Sequence, residues 1–219
     1  MNDKEKLLDI FSILLKSFGK RNWWPADTDF EVVIGCILTQ NVTWKSVEQA
    51  IIKLKAENLI DIDNILSVEP SKLAGLITTT RYYNQKAASI INFCEILKKD
   101  FNGELKKLFD IDTPSLRRYL LSLKGIGKET ADSIILYAAN KPIFVVDAYT
   151  KRVFSRLGYF ESNPTYDEVQ DFFQRNLSVD TYLYNEFHAL IVAFAQYYCK
   201  SSKPLCVECP IKNFCKANY

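Results

Sequence analysis

Residues 123–158, LKGIGKETADSIILYAANKPIFVVDAYTKRVFSRLG, decide the fold. Gly125 and Gly127 stand between two helical patterns, with Lys124 before them and Lys128 after them. Glycine accepts positive φ and close backbone approach, so the segment predicts a tight hairpin. A plain helix–helix turn is the bland reading. The flanking lysines favour a helix–hairpin–helix contact to DNA, because the amides that open the next helix offer a phosphate its donors. Further on, the apolar run IFVV ends at Asp147. A carboxylate at a helix start is ordinarily an N-cap. Here it also closes an apolar segment, which places it near the protein interior.

Working outward, the pattern is helical almost everywhere. Leu7, Leu8, Phe11, Leu14, Leu15 and Phe18 share one face at three- to four-residue spacing. Further helices or turns are predicted over 30–38, 44–54, 60–65, 70–76, 85–98 and 105–108. Thr113, as an N-cap before Pro114, starts a helix running to about residue 123. Others follow over 128–139, 149–157, 166–176 and 181–198. The run 143–146 is β-like in propensity but too isolated to build a sheet, so it is expected to be a buried extended segment. The fold class is all-α, with about ten helices.

The chain has 219 residues and 48% hydrophobic content, enough for one large domain or two small ones. No apolar run approaches the roughly 20 residues of a membrane span. The N-terminal MNDKEKLLDI lacks a cleavable apolar segment, so an intracellular location is expected, cytoplasm or nucleoid in a prokaryote. Net charge is only +2, which by itself does not announce a nucleic-acid binder. Its distribution says more. Lys200, Lys203, Lys212 and Lys216 face one acid, Glu208, near the C-terminus. Lys141, Lys151, Arg152 and Arg156 likewise outnumber Asp147. Basic patches on a near-neutral body suit a protein that grips a polyanion with one face.

Of six cysteines, four fall in the spacing Cys199-x6-Cys206-x2-Cys209-x5-Cys215. Zinc ribbons usually pair two CxxC knuckles across a longer gap. One CxxC flanked by longer gaps instead lets a compact loop wrap a cubane, and four thiolates are what a [4Fe–4S] cluster needs. Structural zinc and unligated thiols are the alternatives. Cys36 and Cys94 stand alone in apolar surroundings and are expected as buried core thiols.

The 123–158 stretch resembles the signature of the helix–hairpin–helix GPD DNA glycosylases, the endonuclease III superfamily. The four-cysteine spacing is similar to that family's iron–sulfur loop. Leu38-Thr-Gln-Asn41 and Tyr83-Asn-Gln-Lys-Ala87 match further stretches, and the likeness spans residues 25–215. The resemblance implies a helical barrel domain over 25–138 carrying the hairpin. A second domain over 1–24 plus 139–219 would carry the [4Fe–4S] cluster. Double-stranded DNA with a damaged base would lie across the cleft between them, the base flipped, with Asp147 at the mouth. The protein would act as a monomer, without a membrane. Lys124, Gly125, Gly127 and Lys128 would hold the backbone, and Gln40 or Asn41 would enter the stack.

Asp147 would stabilise the oxocarbenium-like sugar and orient the attacking water. One departure matters. Bifunctional members carry a nucleophilic lysine two residues after the second hairpin glycine, where this chain has Glu129. Glutamate cannot form a Schiff base, and Lys128 is turned about 100° away on a helix. A monofunctional enzyme follows, with Glu129 as a partner for a positively polarised base. Trp23-Trp24-Pro25 and Trp44 hold all three tryptophans of the chain. Core packing is their bland role. Together with the hairpin's Gly-Lys-Glu they resemble the 3-methyladenine glycosylase branch, with Trp24, Pro25 and Trp44 as a base pocket for a cationic alkylpurine. The competing functions are a glycosylase for mismatched, deaminated or oxidised bases, and a non-catalytic DNA-binding module. His188, the only histidine, is expected to be structural.

Overall fold

The computed structural model describes residues 2–161 and 163–217, and among them regular structure is helical, with no strand. In chain order come α1 (Asp3–Phe18), α2 (Asp29–Leu38), α3 (Trp44–Ala56), α4 (Ile62–Ser67), α5 (Pro70–Leu76) and α6 (Tyr83–Phe101). They are followed by α7 (Leu105–Phe109), α8 (Thr113–Ser122) and α9 (Lys128–Ser133). The last helices are α10 (Ala148–Leu157), α11 (Tyr166–Asn176) and α12 (Thr181–Tyr197), with a 3₁₀ turn at Lys212–Phe214. Two compact units result. One joins Met1–Trp23 with Pro142–Tyr219, and the other is Trp24–Lys141.

The Trp24–Lys141 unit is built around α2, in which every residue from Phe30 to Leu38 is buried. Its composition explains this: DFEVVIGCIL offers no polar face, and Thr28 caps its start. The one buried acid, Glu31, accepts from Lys55 Nζ at 2.8 Å. Helices α8 and α9, on either side of the hairpin, are joined by Arg117 and the fully buried Asp132. The guanidinium donates to both carboxylate oxygens, at 2.6 and 3.0 Å. A bidentate pair of this kind fixes orientation as well as charge.

Two sequence expectations need correction in this unit. The cap of α8 is Asp112, whose Oδ1 accepts from Ser115 N at 3.0 Å; Thr113 is already helical. A carboxylate outcompetes a hydroxyl for the same orphan amide when both are in reach. The helix expected over 128–139 is not uniform either. From Ile134 to Ala138 it widens into a π-turn, closed by Ala139 N to Ile134 O at 2.9 Å. Such turns insert one residue and re-aim side chains.

In the other unit, α1, α10, α11 and α12 pack together. Phe144 stacks on Phe173 at 3.9 Å, and Phe154, Tyr184 and Phe187 meet that pair edge-on. Phe144 belongs to the expected extended segment, which is buried from Ile143 to Val146. A lone buried strand must satisfy its backbone somewhere. Side chains of α11 do this. Phe144 N donates to Gln174 Oε1 at 3.1 Å, and Gln170 Nε2 donates to Phe144 O at 2.7 Å. The segment therefore needs no sheet, and it delivers Asp147 to the start of α10.

Candidate active site and cysteine cavity

Asp147 is the N-cap of α10. Its Oδ1 accepts from Thr150 N at 2.7 Å and from Thr150 Oγ1 at 2.8 Å. The second oxygen, Oδ2, lies 3.6 Å from His188 Nε2, and each side chain is only 11% exposed. Burial works against charge on this carboxyl. The His188 contact and the two Thr150 donors outweigh it and hold the group below its ordinary range. Asp147 is thus an ionised, oriented carboxylate. The cap is thus the same group that the sequence offers as a candidate catalyst, and His188, expected to be structural, meets it directly.

The hairpin explains its first glycine. Gly125 has φ +88, and a Cβ there would lie 2.0 Å from Ser89 Oγ. Gly127 is different: its φ is −92, and an added Cβ would meet nothing within 4 Å. Ile126 is buried between them and anchors the turn, while Lys124, Lys128 and Glu129 are exposed. Glu129 is the second residue of α9. Next to it Thr130 is buried and accepts from Gln40 Nε2 at 2.7 Å. The same amide reaches Gly125 O at 3.4 Å. Asn41 is exposed and left-handed, with φ 56. Lys86, 4% exposed, donates from Nζ to Leu38 O and Gln40 O, both at 2.8 Å. Burial lowers its pKa to about 8.

Trp24 and Trp44 meet edge to face at 5.3 Å. Tyr137 joins them, 5.4 Å from Trp24, and it comes from the π-turn. The indole of Trp24 also lies over Gly35, where a Cβ would stand 3.0 Å from its Cζ2 and Nε1. Pro25 is exposed. Tyr137, Gly35 and Thr130 were not singled out in the sequence, and Lys86 only as part of the stretch 83–87. Tyr82 was not either; it is 63% exposed with φ 56, an uncommon conformation for an aromatic residue. No local signal marks the first four, because each matters through a contact distant in sequence. For Gly35 the only available signal was a glycine inside an apolar helix.

Cys199, Cys206, Cys209 and Cys215 line one cavity, together with Arg156 and apolar side chains such as Val153 and Phe194. Among the described residues no three His, Cys, Asp or Glu side chains converge as they would on a single ion. The four thiols nonetheless share this one cavity. Burial pushes the Cys209 thiol up, and the other three sulfurs add to the effect. Arg156 steadies the loop by donating to Lys200 O at 2.6 Å and Ser201 O at 3.1 Å, with Cys199 Sγ at 3.4 Å.

A helical fold with a glycine hairpin and a carboxylate capping a helix is what the resemblance to DNA base-repair glycosylases implies. The chain belongs to the HhH-GPD superfamily of base excision DNA repair proteins, whose family profile matches residues 34–178. A Methanocaldococcus jannaschii protein assigned provisionally to the DNA repair glycosylases is 48% identical over 215 residues, covering 98% of this chain and 97% of that one. Endonuclease III of Sulfolobus acidocaldarius is 32% identical, covering 85% and 81%. Among solved structures, H. pylori 3-methyladenine DNA glycosylase bound to 1,N6-ethenoadenine is 32% identical with a TM-score of 0.77. That match covers 90% of this chain and 98% of the other.

Proposed function

We propose that this protein is a monofunctional DNA glycosylase that removes alkylated purines such as 3-methyladenine. The reading is carried by Glu129, which stands where a bifunctional enzyme needs an amine. Asp147, held ionised, would stabilise the oxocarbenium-like sugar and orient water for attack at its anomeric carbon. An N-alkylated purine is cationic, so its glycosidic bond is already weakened and little acid catalysis is required. The Trp24, Trp44 and Tyr137 rings suit stacking against such a base, with Glu129 as an acceptor. Likeness to the H. pylori enzyme supports the same branch. Lys124, Lys128 and the hairpin amides around Gly125 and Gly127 would take phosphate, and the open space at Gly127 favours close backbone approach. Cys199, Cys206, Cys209 and Cys215 would hold a [4Fe–4S] cluster, whose contribution is to cross-link the basic C-terminal loop.

The second reading, an endonuclease III-like glycosylase for oxidised, deaminated or mismatched bases, is favoured by the Sulfolobus relative. A panel of duplexes, each with one lesion, scored for abasic sites, separates the two. Release of 3-methyladenine or ethenoadenine, with uracil, thymine glycol and 8-oxoguanine left in place, is the expected result. Efficient removal of an oxidised or deaminated pyrimidine with no release of alkylpurines would overturn the branch.

A further inference from the structure

We propose that Gln40 is a latch rather than a DNA wedge: it ties the turn carrying Asn41 to the hairpin, while Lys86 holds the backbone of the same turn. This rests on the DNA-glycosylase reading above. A side chain that enters a base stack must present its amide to DNA. The amide of Gln40 instead ends in its own unit, on Thr130 Oγ1 at 2.7 Å and Gly125 O at 3.4 Å. Thr130 is 4% exposed, so the hydroxyl that receives the amide is buried and the contact is part-buried. Asn41 has the opposite character, exposed and left-handed at φ 56, a conformation that asparagine tolerates well.

The end of α2 leaves carbonyls without helical partners. Lys86 Nζ takes one of them, Leu38 O, and the carbonyl of Gln40 in the turn that follows, each at 2.8 Å. An ammonium on two carbonyls fixes the backbone on one flank of Asn41, and the Gln40 amide fixes its distance from the hairpin. The phosphate-gripping turn and the penetrating turn then act as one preorganised body. Less ordering cost remains when Asn41 enters DNA. Lys86 and Gln40 are positioning residues, and neither touches the reacting atoms.

Thr130→Val separates the two roles of Gln40, because it removes the latch's acceptor and leaves the glutamine in place. The probe is a duplex with a tetrahydrofuran abasic-site analogue and 2-aminopurine opposite it, whose emission rises when a side chain enters the stack. The latch predicts that Thr130→Val and Gln40→Leu each lower the emission response about threefold to tenfold, the range of one lost hydrogen bond. The double variant is no worse than either single one. Lys86→Met lowers the response further, and melting temperatures of the Thr130 and Gln40 variants stay near the wild type. An unchanged or larger response in Thr130→Val, with Gln40→Leu abolishing it, makes Gln40 the wedge and overturns the proposal. Wild-type protein that binds this duplex without raising emission overturns it as well. If the emission pattern holds but no alkylpurine is released, the latch stands and the substrate reading falls.

Discussion

Replacing Asp147 by asparagine and, separately, by alanine separates the helix cap seen in the structure from the catalytic task proposed for this side chain. As N-cap, Oδ1 accepts both Thr150 donors, at 2.7 and 2.8 Å. Asparagine caps a helix about as well as aspartate, while alanine costs about 1 kcal/mol. For a chain of this size the lost cap alone is worth about 2–4 °C in melting temperature for Asp147→Ala, whereas Asp147→Asn keeps the cap and loses only what the charge contributes. As catalyst, the group supplies a negative charge that both substitutions remove. Loss of a key electrostatic or general-base group lowers the rate about 10²–10⁴-fold. Single-turnover excision from an alkylated duplex, read by strand cleavage at abasic sites in alkali, should therefore fall equally in both variants. Binding to a tetrahydrofuran duplex should persist. The pH dependence follows from the lowered pKa. The charge's contribution to stability is fully present above the unfolded value of about 3.9 and is lost as pH falls through the lower folded value. Wild type and Asp147→Asn should thus converge in melting temperature only below about pH 4. Near-normal excision by Asp147→Asn would refute the reasoning and leave this carboxylate a cap alone.

With Glu129 in the nucleophile position, borohydride should trap no covalent adduct with abasic DNA. A strong trapped band abolished by Lys128→Ala would show that the hairpin register is misjudged. The purified protein should be brown, absorbing near 400 nm (~400 nm, the thiolate-to-iron range). Cys206→Ala should bleach it and weaken DNA binding by freeing Lys200, Lys203 and Lys212, whereas colourless, fully active protein containing one zinc would sink the cluster. Gly35→Ala puts a methyl 3.0 Å from the Trp24 indole and should lower alkylpurine excision about tenfold, as Trp24→Ala does, with the fold kept. Unchanged excision would remove Trp24 from the site.

The helical class was legible because most segments carry a one-sided apolar period, as in α1 with Leu7, Ile10 and Leu14 buried. The extended segment was legible in outline, since β-propensity without a partner strand left only a buried single run. Its means of support was not, because Gln170 and Gln174 are polar residues on a helix and nothing local marks them as backbone partners. The cap of α8 was misplaced by one residue. Asp112, Thr113 and Pro114 all carry start signals, and only geometry tells which side chain reaches the Ser115 amide. The π-turn was invisible for a related reason: Ile134–Ala138 reads as ordinary buried helix, and the extra residue in the turn is set by packing.

The candidate site divides along the same line. Asp147, Glu129 and the cysteines announce themselves as candidates, since the proposed chemistry would use those residue types at those positions. The residues that make the supporting contacts around the candidate positions do not. Gly35 admits the Trp24 indole, Tyr137 completes the aromatic group, Thr130 receives Gln40, and His188 faces Asp147 across a turn of sequence that no spacing rule connects. Each is an ordinary residue whose importance comes from one contact. The Gln40–Thr130 pair shows the consequence. From sequence, register with endonuclease III favours Asn41 for entering DNA, but Gln40 stays a candidate beside it. A single hydrogen bond to a buried hydroxyl separates them, because an amide already bonded inside the protein must give up that bond before it can reach a base.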